Sequence, residues 1–396
     1  MNKKLFVPGF KTSSSCAGIK ENCPDVALFF SEIPAVTVGF FTTNSLKAIP
    51  VRISEETLRK KERIQAIIVN SGNANAATGQ EGEIAAKDVV RSVAESLILD
   101  PDQILPASTG IIGEVLPADK IKKVIPELVK NLSKDGWEES ARAIMTTDTV
   151  PKISYREFSI SGEKIHILGI AKGAGMIQPS MATMLAFIFT NALITPEELK
   201  RISTPLMEET FNIISVDGEM STNDSVIIMA NGFSSVPILK KTENCRKFRR
   251  TLREVMKELA LKIVDDGEGA THRIEITVEG AKNKNEARRI AYRLANSPLL
   301  KTAVAGNDPN WGRVYAAVGS LSLDIEPEQL EISIAGIPLY RWGKLPEKEM
   351  VKKAEEAMKE RVVPIKVTLR RGKGKFTVYT TDFTCDYVKI NADYHT

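Results

Sequence analysis

Apolar residues in this chain follow two short rhythms, and their alternation limits the fold more than any other feature of the sequence. One rhythm is the brief strand-like run, as in "IQAIIV" at 64–69, "SVIIMA" at 225–230 and the alternating "RIEITV" at 273–278. The other is the helical stripe that returns to one face every three or four residues. Val89, Val93 and Leu97 form one stripe. Ile121, Ile125, Leu128 and Leu132 form a second, and Phe248, Leu252, Val255, Leu259 and Ile263 a third. The strand runs occur in small groups between helices. That pattern predicts a layered α/β architecture of the α+β kind rather than a doubly wound sheet.

Local signals sharpen the pattern. Residues 155–170 read as a hairpin turning at Ser161-Gly162. Thr195 suits an N-cap, Pro196 the first helical position and Glu198 the return arm of a capping box, so a helix is expected from there to about Asn212. Pro126 falls inside the second stripe and is expected to kink or split it. The last third reads as strand, helix at 286–295, strands, helix at about 347–361, and paired strands to Thr381. "VAGNDPNWGR" reads as structural support, with Pro309 and Gly312 shaping a turn and Asp308 able to pair with Arg313.

Composition excludes several function classes. Among 396 residues, 43% are apolar and 26% charged, and the net charge is +4. That charge is small for the length and lacks a long basic block, so no nucleic-acid partner is expected. The longest apolar runs fall well short of the ~20 residues of a membrane helix, and "MNKKLFVPGF" lacks the apolar stretch of a signal peptide. Cys16, Cys23, Cys245 and Cys385 form no CxxC pair. They read as reduced thiols of a cytoplasmic protein.

The inventory for chemistry is narrow. Histidine occurs only at His166, His272 and His395. There is no HExxH and no pair at metal spacing, so no metal site is expected. There is also no GxSxG elbow, no GxGxxG and no P-loop. What remains is a hydroxyl nucleophile working without histidine. A threonine at a chain terminus can use its own α-amine as base, because that amine has a pKa of ~7.7–8. The stretch "AKGAGMIQPSMATMLAFIF" at 171–189 has what self-cutting needs. Gly173 and Gly175 permit tight turns, Pro179 restricts the approach, and the small Ala182 leaves its carbonyl open to Thr183. The plainer alternative is that Thr183 starts a core strand or helix, and composition alone does not remove it.

Further motifs accompany that stretch in order: "VNSGNANAATG", "PASTGIIGEVLP", "IMTTDT", "SVDGEMSTNDS", "DGEGATH", "VAGNDPNWGR" and the terminal "NADYHT". Together they resemble the ornithine acetyltransferase family, also called glutamate N-acetyltransferase, along nearly the whole chain. His272 departs from it, standing where the family more often has Lys after "EGAT".

The resemblance implies self-cleavage between Ala182 and Thr183, giving an α chain of 1–182 and a β chain of 183–396. Residues 183–280 would complete the main sandwich, and about 281–396 would form a smaller C-terminal α+β subdomain. The implied fold is an α/β sandwich shared with self-cleaving aminopeptidases of the D-aminopeptidase type, assembled as α₂β₂. Thr183 would carry the acetyl group from N2-acetylornithine to glutamate in a ping-pong cycle. Thr109 and Gly110 would supply the oxyanion hole, and Thr146, Lys172, Thr183, Glu268, Asn391 and Thr396 would contact substrate. Thr146 is preferred to its neighbour Thr147. No metal or bound cofactor is implied, and acetyl-CoA is a candidate second donor. The competing readings are a self-processing aminopeptidase or amidase, which would use water as acceptor and whose relatives expose serine, and a non-catalytic binding protein on the same scaffold.

Overall fold

The computed structural model describes residues 4–21, 24–160, 162–178 and 184–393. Ala182, Thr183 and Thr396 lie outside the described residues, as do Pro179, Cys23, Ser161 and His395. In chain order the first part contains β1 (Phe10–Ser15), β2 (Val26–Phe41), α1 (Ile49–Lys60), β3 (Arg63–Asn73), α2 (Gly79–Leu97), β4 (Ile104–Ile111), α3 (Ala118–Lys130) and α4 (Trp137–Ala143). It continues with β5 (Lys152–Ile160), β6 (Glu163–Lys172), β7 (Leu185–Thr190), α5 (Pro196–Glu209), β8 (Ser225–Ala230) and α6 (Glu243–Asp265). Strands β1–β8 form one sheet in the order β4-β3-β2-β8-β7-β6-β5, with β1 added to β2. The pairs β3–β4 and β7–β8 are parallel.

Both faces of this sheet are covered, which explains the unbroken apolar runs of its central strands. In β7, Leu185, Phe187 and Phe189 enter one core with Trp137 of α4 and Phe29 of β2. Ala186 and Ile188 enter the opposite core, where α5 and the full stripe of α6 pack. Beside that second core, α2 and α3 cover β3 and β4. The layered α/β architecture read from the two rhythms is the one observed.

The remaining elements build a second sheet. They are β9 (Arg273–Ala281), α7 (Lys284–Ala295), α8 (Pro298–Ala305), α9 (Trp311–Gly319), β10 (Leu330–Ile334), β11 (Ile337–Arg341), α10 (Lys348–Ala357), β12 (Val362–Leu369), β13 (Gly374–Thr381) and α11 (Cys385–Asp393). The sheet order is β11-β10-β12-β9-β13. It takes in β9, so it reaches to the N-terminal side of the expected division near 281.

Several local expectations change. α3 runs unbroken through Pro126. That proline lies on the exposed side of the helix, where water can satisfy the carbonyl it leaves unpaired. Thr195 does cap α5, accepting from the Glu198 N–H at 3.3 Å, but the Glu198 carboxylate turns to Arg201 at 2.8 Å instead of closing a capping box. Gly312 lies inside α9 rather than in a turn. Asp308 accepts from Asn310, while Arg313 donates to the Leu299 carbonyl at 2.5 Å, so the expected Asp308–Arg313 pair is absent.

The two sheets are joined where the chain passes residues 214–217. The Ser215 N–H donates to the Tyr379 carbonyl at 2.9 Å, and Tyr379 packs against both cores. Lys301 of α8 is fully buried at this seam. Its ammonium donates to the Val216 carbonyl and to the hydroxyls of Thr380 at 2.9 Å and Thr381 at 3.2 Å, over the Phe383 ring. Burial pushes its pKa down to about 7, against the pull of Asp217 and Asp382.

Between pH 7 and 10.5 the unfolded chain therefore binds a proton at Lys301 that the folded chain does not, so this group makes stability rise with pH across that window. In urea unfolding, the stability of wild type relative to Lys301→Met should increase from pH 7 to pH 10 by up to about 1.4 kcal/mol per pH unit. A difference that stays flat across that window would remove Lys301 as its source.

Candidate active site

The C-terminal end of β4 lies against the C-terminal end of β3, with Thr109 opposite Ser71 and Gly110 opposite Gly72. The approach is close enough that a Cβ on Gly110 would sit 2.3 Å from the Gly72 carbonyl carbon, and Gly110 has a φ of +134°. No other residue fits there without moving β3. Beside these strand ends, β6 finishes at Lys172, whose side chain is 3% exposed.

Lys172 organises the hydroxyls around it. Its ammonium donates to Thr109 Oγ1 at 2.9 Å and to Thr146 Oγ1 at 2.7 Å. A hydroxyl that accepts from an ammonium keeps its own proton to donate elsewhere, and it is polarised as a donor. Thr146 and Thr147 both line the cleft, and Thr146 is the one bonded to the lysine. Glu268 faces the cleft from the loop after α6, and Asn391 of α11 donates to its Oε2 at 2.8 Å. Gly175 makes room for that carboxylate, since a Cβ there would lie 2.4 Å from Glu268 Cδ.

Thus Thr109, Gly110, Thr146, Lys172, Glu268 and Asn391, drawn from five separate stretches of sequence, line one cleft. His272 does not line it, and its Nδ1 lies 2.9 Å from Asp382 Oδ2. A roomier cavity of about 430 Å³ lies between β2, α1 and the start of α5. It has mixed charge and none of the candidate site residues read from the sequence.

Sequence reasoning missed the acidic support beneath the cleft. Asp148 is buried and accepts from Lys152 at 2.6 Å, the Gly173 N–H at 2.6 Å and the Thr146 N–H at 3.1 Å, while Lys172 lies 4.0 Å away. Lys152 also donates to Asp266 at 2.5 Å. Burial alone would raise the Asp148 pKa, but Lys172, Lys152 and the Gly173 amide outweigh it and hold the carboxyl below its ordinary value. Burial likewise drives the Lys172 pKa down, and Asp148 is the main force pulling it back up. Two acids and two lysines balance in charge, which makes burying all four tolerable. Asp217 performs a parallel task, accepting the Met176 and Ile177 N–H groups at 2.5 and 2.9 Å and so holding Met176 at a φ of +56°. Asp148 and Asp217 both sit inside quoted motifs, "IMTTDT" and "SVDGEMSTNDS", and that membership was the available signal.

A model of the ArgJ family matches residues 11–396. The arginine biosynthesis bifunctional protein ArgJ of Geobacter sulfurreducens is 43% identical over 394 residues, spanning 99% of this chain and 100% of its own. The protein of the same name from Desulfotalea psychrophila is 44% identical over 392 residues, spanning 98% of this chain and 100% of its own. Among solved structures, arginine biosynthesis bifunctional protein argJ from Bacillus halodurans is 37% identical with a TM-score of 0.50, over 52% of this chain and 98% of that one. With its cleft assembled from the motifs of the resemblance, and with relatives matched from end to end, this chain belongs to the ArgJ family.

Proposed function

We propose that the cleft is the acetyl-transfer site of an arginine-biosynthesis enzyme, and that Thr183 is its nucleophile after self-cleavage of the Ala182–Thr183 bond. The observation that carries this reading is a register. Lys172 pairs with Leu185 across β6 and β7, so the chain two residues after Thr183 starts its strand directly beside the lysine that binds Thr109 and Thr146. The length of the solved Bacillus halodurans chain, about half that of this one, is what a cut near the middle produces.

In the proposed cleavage the Thr183 hydroxyl attacks the Ala182 carbonyl, the peptide becomes an ester, and water releases the two chains. The freed α-amine then serves as base for the adjacent hydroxyl. N2-acetylornithine acetylates Thr183 and ornithine leaves; the glutamate amine then takes the acetyl group. Thr109, polarised by Lys172, and the backbone N–H of Gly110 face the developing oxyanion, a role whose single donors are worth about 10²–10³ in rate. Lys172 pairs with a substrate α-carboxylate and Glu268 with the side-chain ammonium of ornithine. Asn391 and Thr396 close the site from the C-terminal tail.

This chemistry needs no metal or organic cofactor. Because the relatives are named bifunctional, acetyl-CoA is proposed as a second donor. The two chains would associate as α₂β₂ in the cytoplasm; among the described residues no helix is long and apolar enough to cross a membrane.

Purified protein should run as two chains, with the second beginning Thr-Met-Leu-Ala-Phe, and Thr183→Ala should remain one chain. Incubation with N2-acetylornithine alone should leave one acetyl group on the 183–396 chain by mass spectrometry. A Thr183→Ala protein that is still cut at this bond would remove Thr183 as the agent.

Deleting 391–396 should leave folding and processing intact while acetyl transfer falls at least ~10²-fold, the scale for losing positioning contacts. Free acetate should rise relative to N-acetylglutamate. Transfer at the wild-type rate would mean that the tail is dispensable.

A further inference from the structure

Asp224 lies immediately before β8, is 0% exposed, and accepts the Met184 N–H on Oδ1 at 3.0 Å. The Ser225 N–H donates back to the Met184 carbonyl at 3.1 Å, and the Asp224 carbonyl accepts from the Thr42 N–H at 3.0 Å. Leu185 opposite Ser225 then opens the parallel β7–β8 ladder. Burial pushes the carboxyl well above the usual carboxylate range, against the pull of the Met184 amide, the Thr42 hydroxyl and Lys172.

The N–H of Met184 belongs to the peptide group that contains the carbonyl of Thr183. A side chain that grips this N–H fixes the plane of the peptide that follows the nucleophile, and so anchors the point at which that residue joins the strand. Backbone bonding between β7 and β8 reaches back to the 184–185 peptide, so Asp224 extends that order one peptide toward the cut. We propose that Asp224 is a positioning residue for self-cleavage, holding the 183–184 peptide so that the nucleophile is anchored on its C-terminal side before its hydroxyl attacks. The inference rests on the self-cleavage reading above. The requirement is for an acceptor oxygen rather than a charge, and asparagine keeps both the shape and the acceptor.

Processing can be timed by cell-free synthesis of the full-length chain, followed by a chase and a denaturing gel. Asp224→Ala should be cut at least about 10-fold more slowly than wild type, the scale of one lost buried hydrogen bond. Asp224→Asn should be cut within about 3-fold of wild type, since it keeps the acceptor. Thermal melts in a Thr183→Ala background, where every protein is one chain, report whether each variant is folded. A folded Asp224→Ala protein cut at the wild-type rate overturns the inference. So does a folded Asp224→Asn protein as slow as the alanine variant, which would assign the effect to charge. If Asp224→Ala does not fold, the asparagine variant decides alone. A wild-type chain that is never cut would instead overturn the self-cleavage reading itself.

Discussion

Asp148 is the point on which the site depends. It receives the ammonium of Lys152, the N–H of Gly173 and the N–H of Thr146, so one carboxylate joins the start of β5, the loop that leaves β6 and the segment after α4. Those are the pieces that must converge for Lys172 to reach both Thr109 and Thr146. Removing the acid would leave Lys152 with Asp266 and Lys172 with only the fields of Glu268 and Asp224, a loss of about 3–5 kcal/mol by the usual cost of breaking a buried pair. The same carboxylate offsets the effect of burial on Lys172. The scaffold and the electrostatics of the cleft therefore share one residue.

Much of this was legible in the sequence, for identifiable reasons. The β5–β6 hairpin, the stripe of α6 and the buried β8 follow from periodicity, because each element hides a definite face. The cleft residues were legible through motifs rather than periodicity, since Thr109 and Glu268 lie far apart in the chain and only the fold brings them together. Asp148, Lys152 and Asp266 were not found, because a charged residue in a sequence looks the same whether it is solvated or paired in the interior. Pro126 does not split α3, because it lies on the exposed side, where water can satisfy the carbonyl it orphans. α8 and α9 were missed because Pro309 and Gly312 carry turn signals that here fall around and inside helix ends.

The catalytic hydroxyl proposed for this chain lies at 183, and the supporting structure stands on both sides of that position: Lys172 at the end of β6 before it, Asp224 at the head of β8 after it. Gly72 and Gly110 complete the arrangement from the other half of the sheet, where two backbones approach too closely for side chains. Precision here comes from strand ends, which are more rigid than loops, and the loops contribute mainly acids that hold backbone N–H groups.

The strand order has one more consequence. A cut between 182 and 183 falls between β6 and β7, so β7 and β8 would belong to the second chain, yet they sit between β2 and β6 of the first. Hydrogen bonds would then run across the chain boundary on both flanks, from β2 to β8 and from β6 to β7. Neither product could leave without opening the middle of the sheet. Before the cut, folding is a first-order process of one polypeptide; after it, recovery from denaturant becomes a second-order encounter between two chains, each lacking the centre or the flanks of its sheet. Maturation would thus convert a protein that can refold at any dilution into one whose renaturation yield falls as it is diluted.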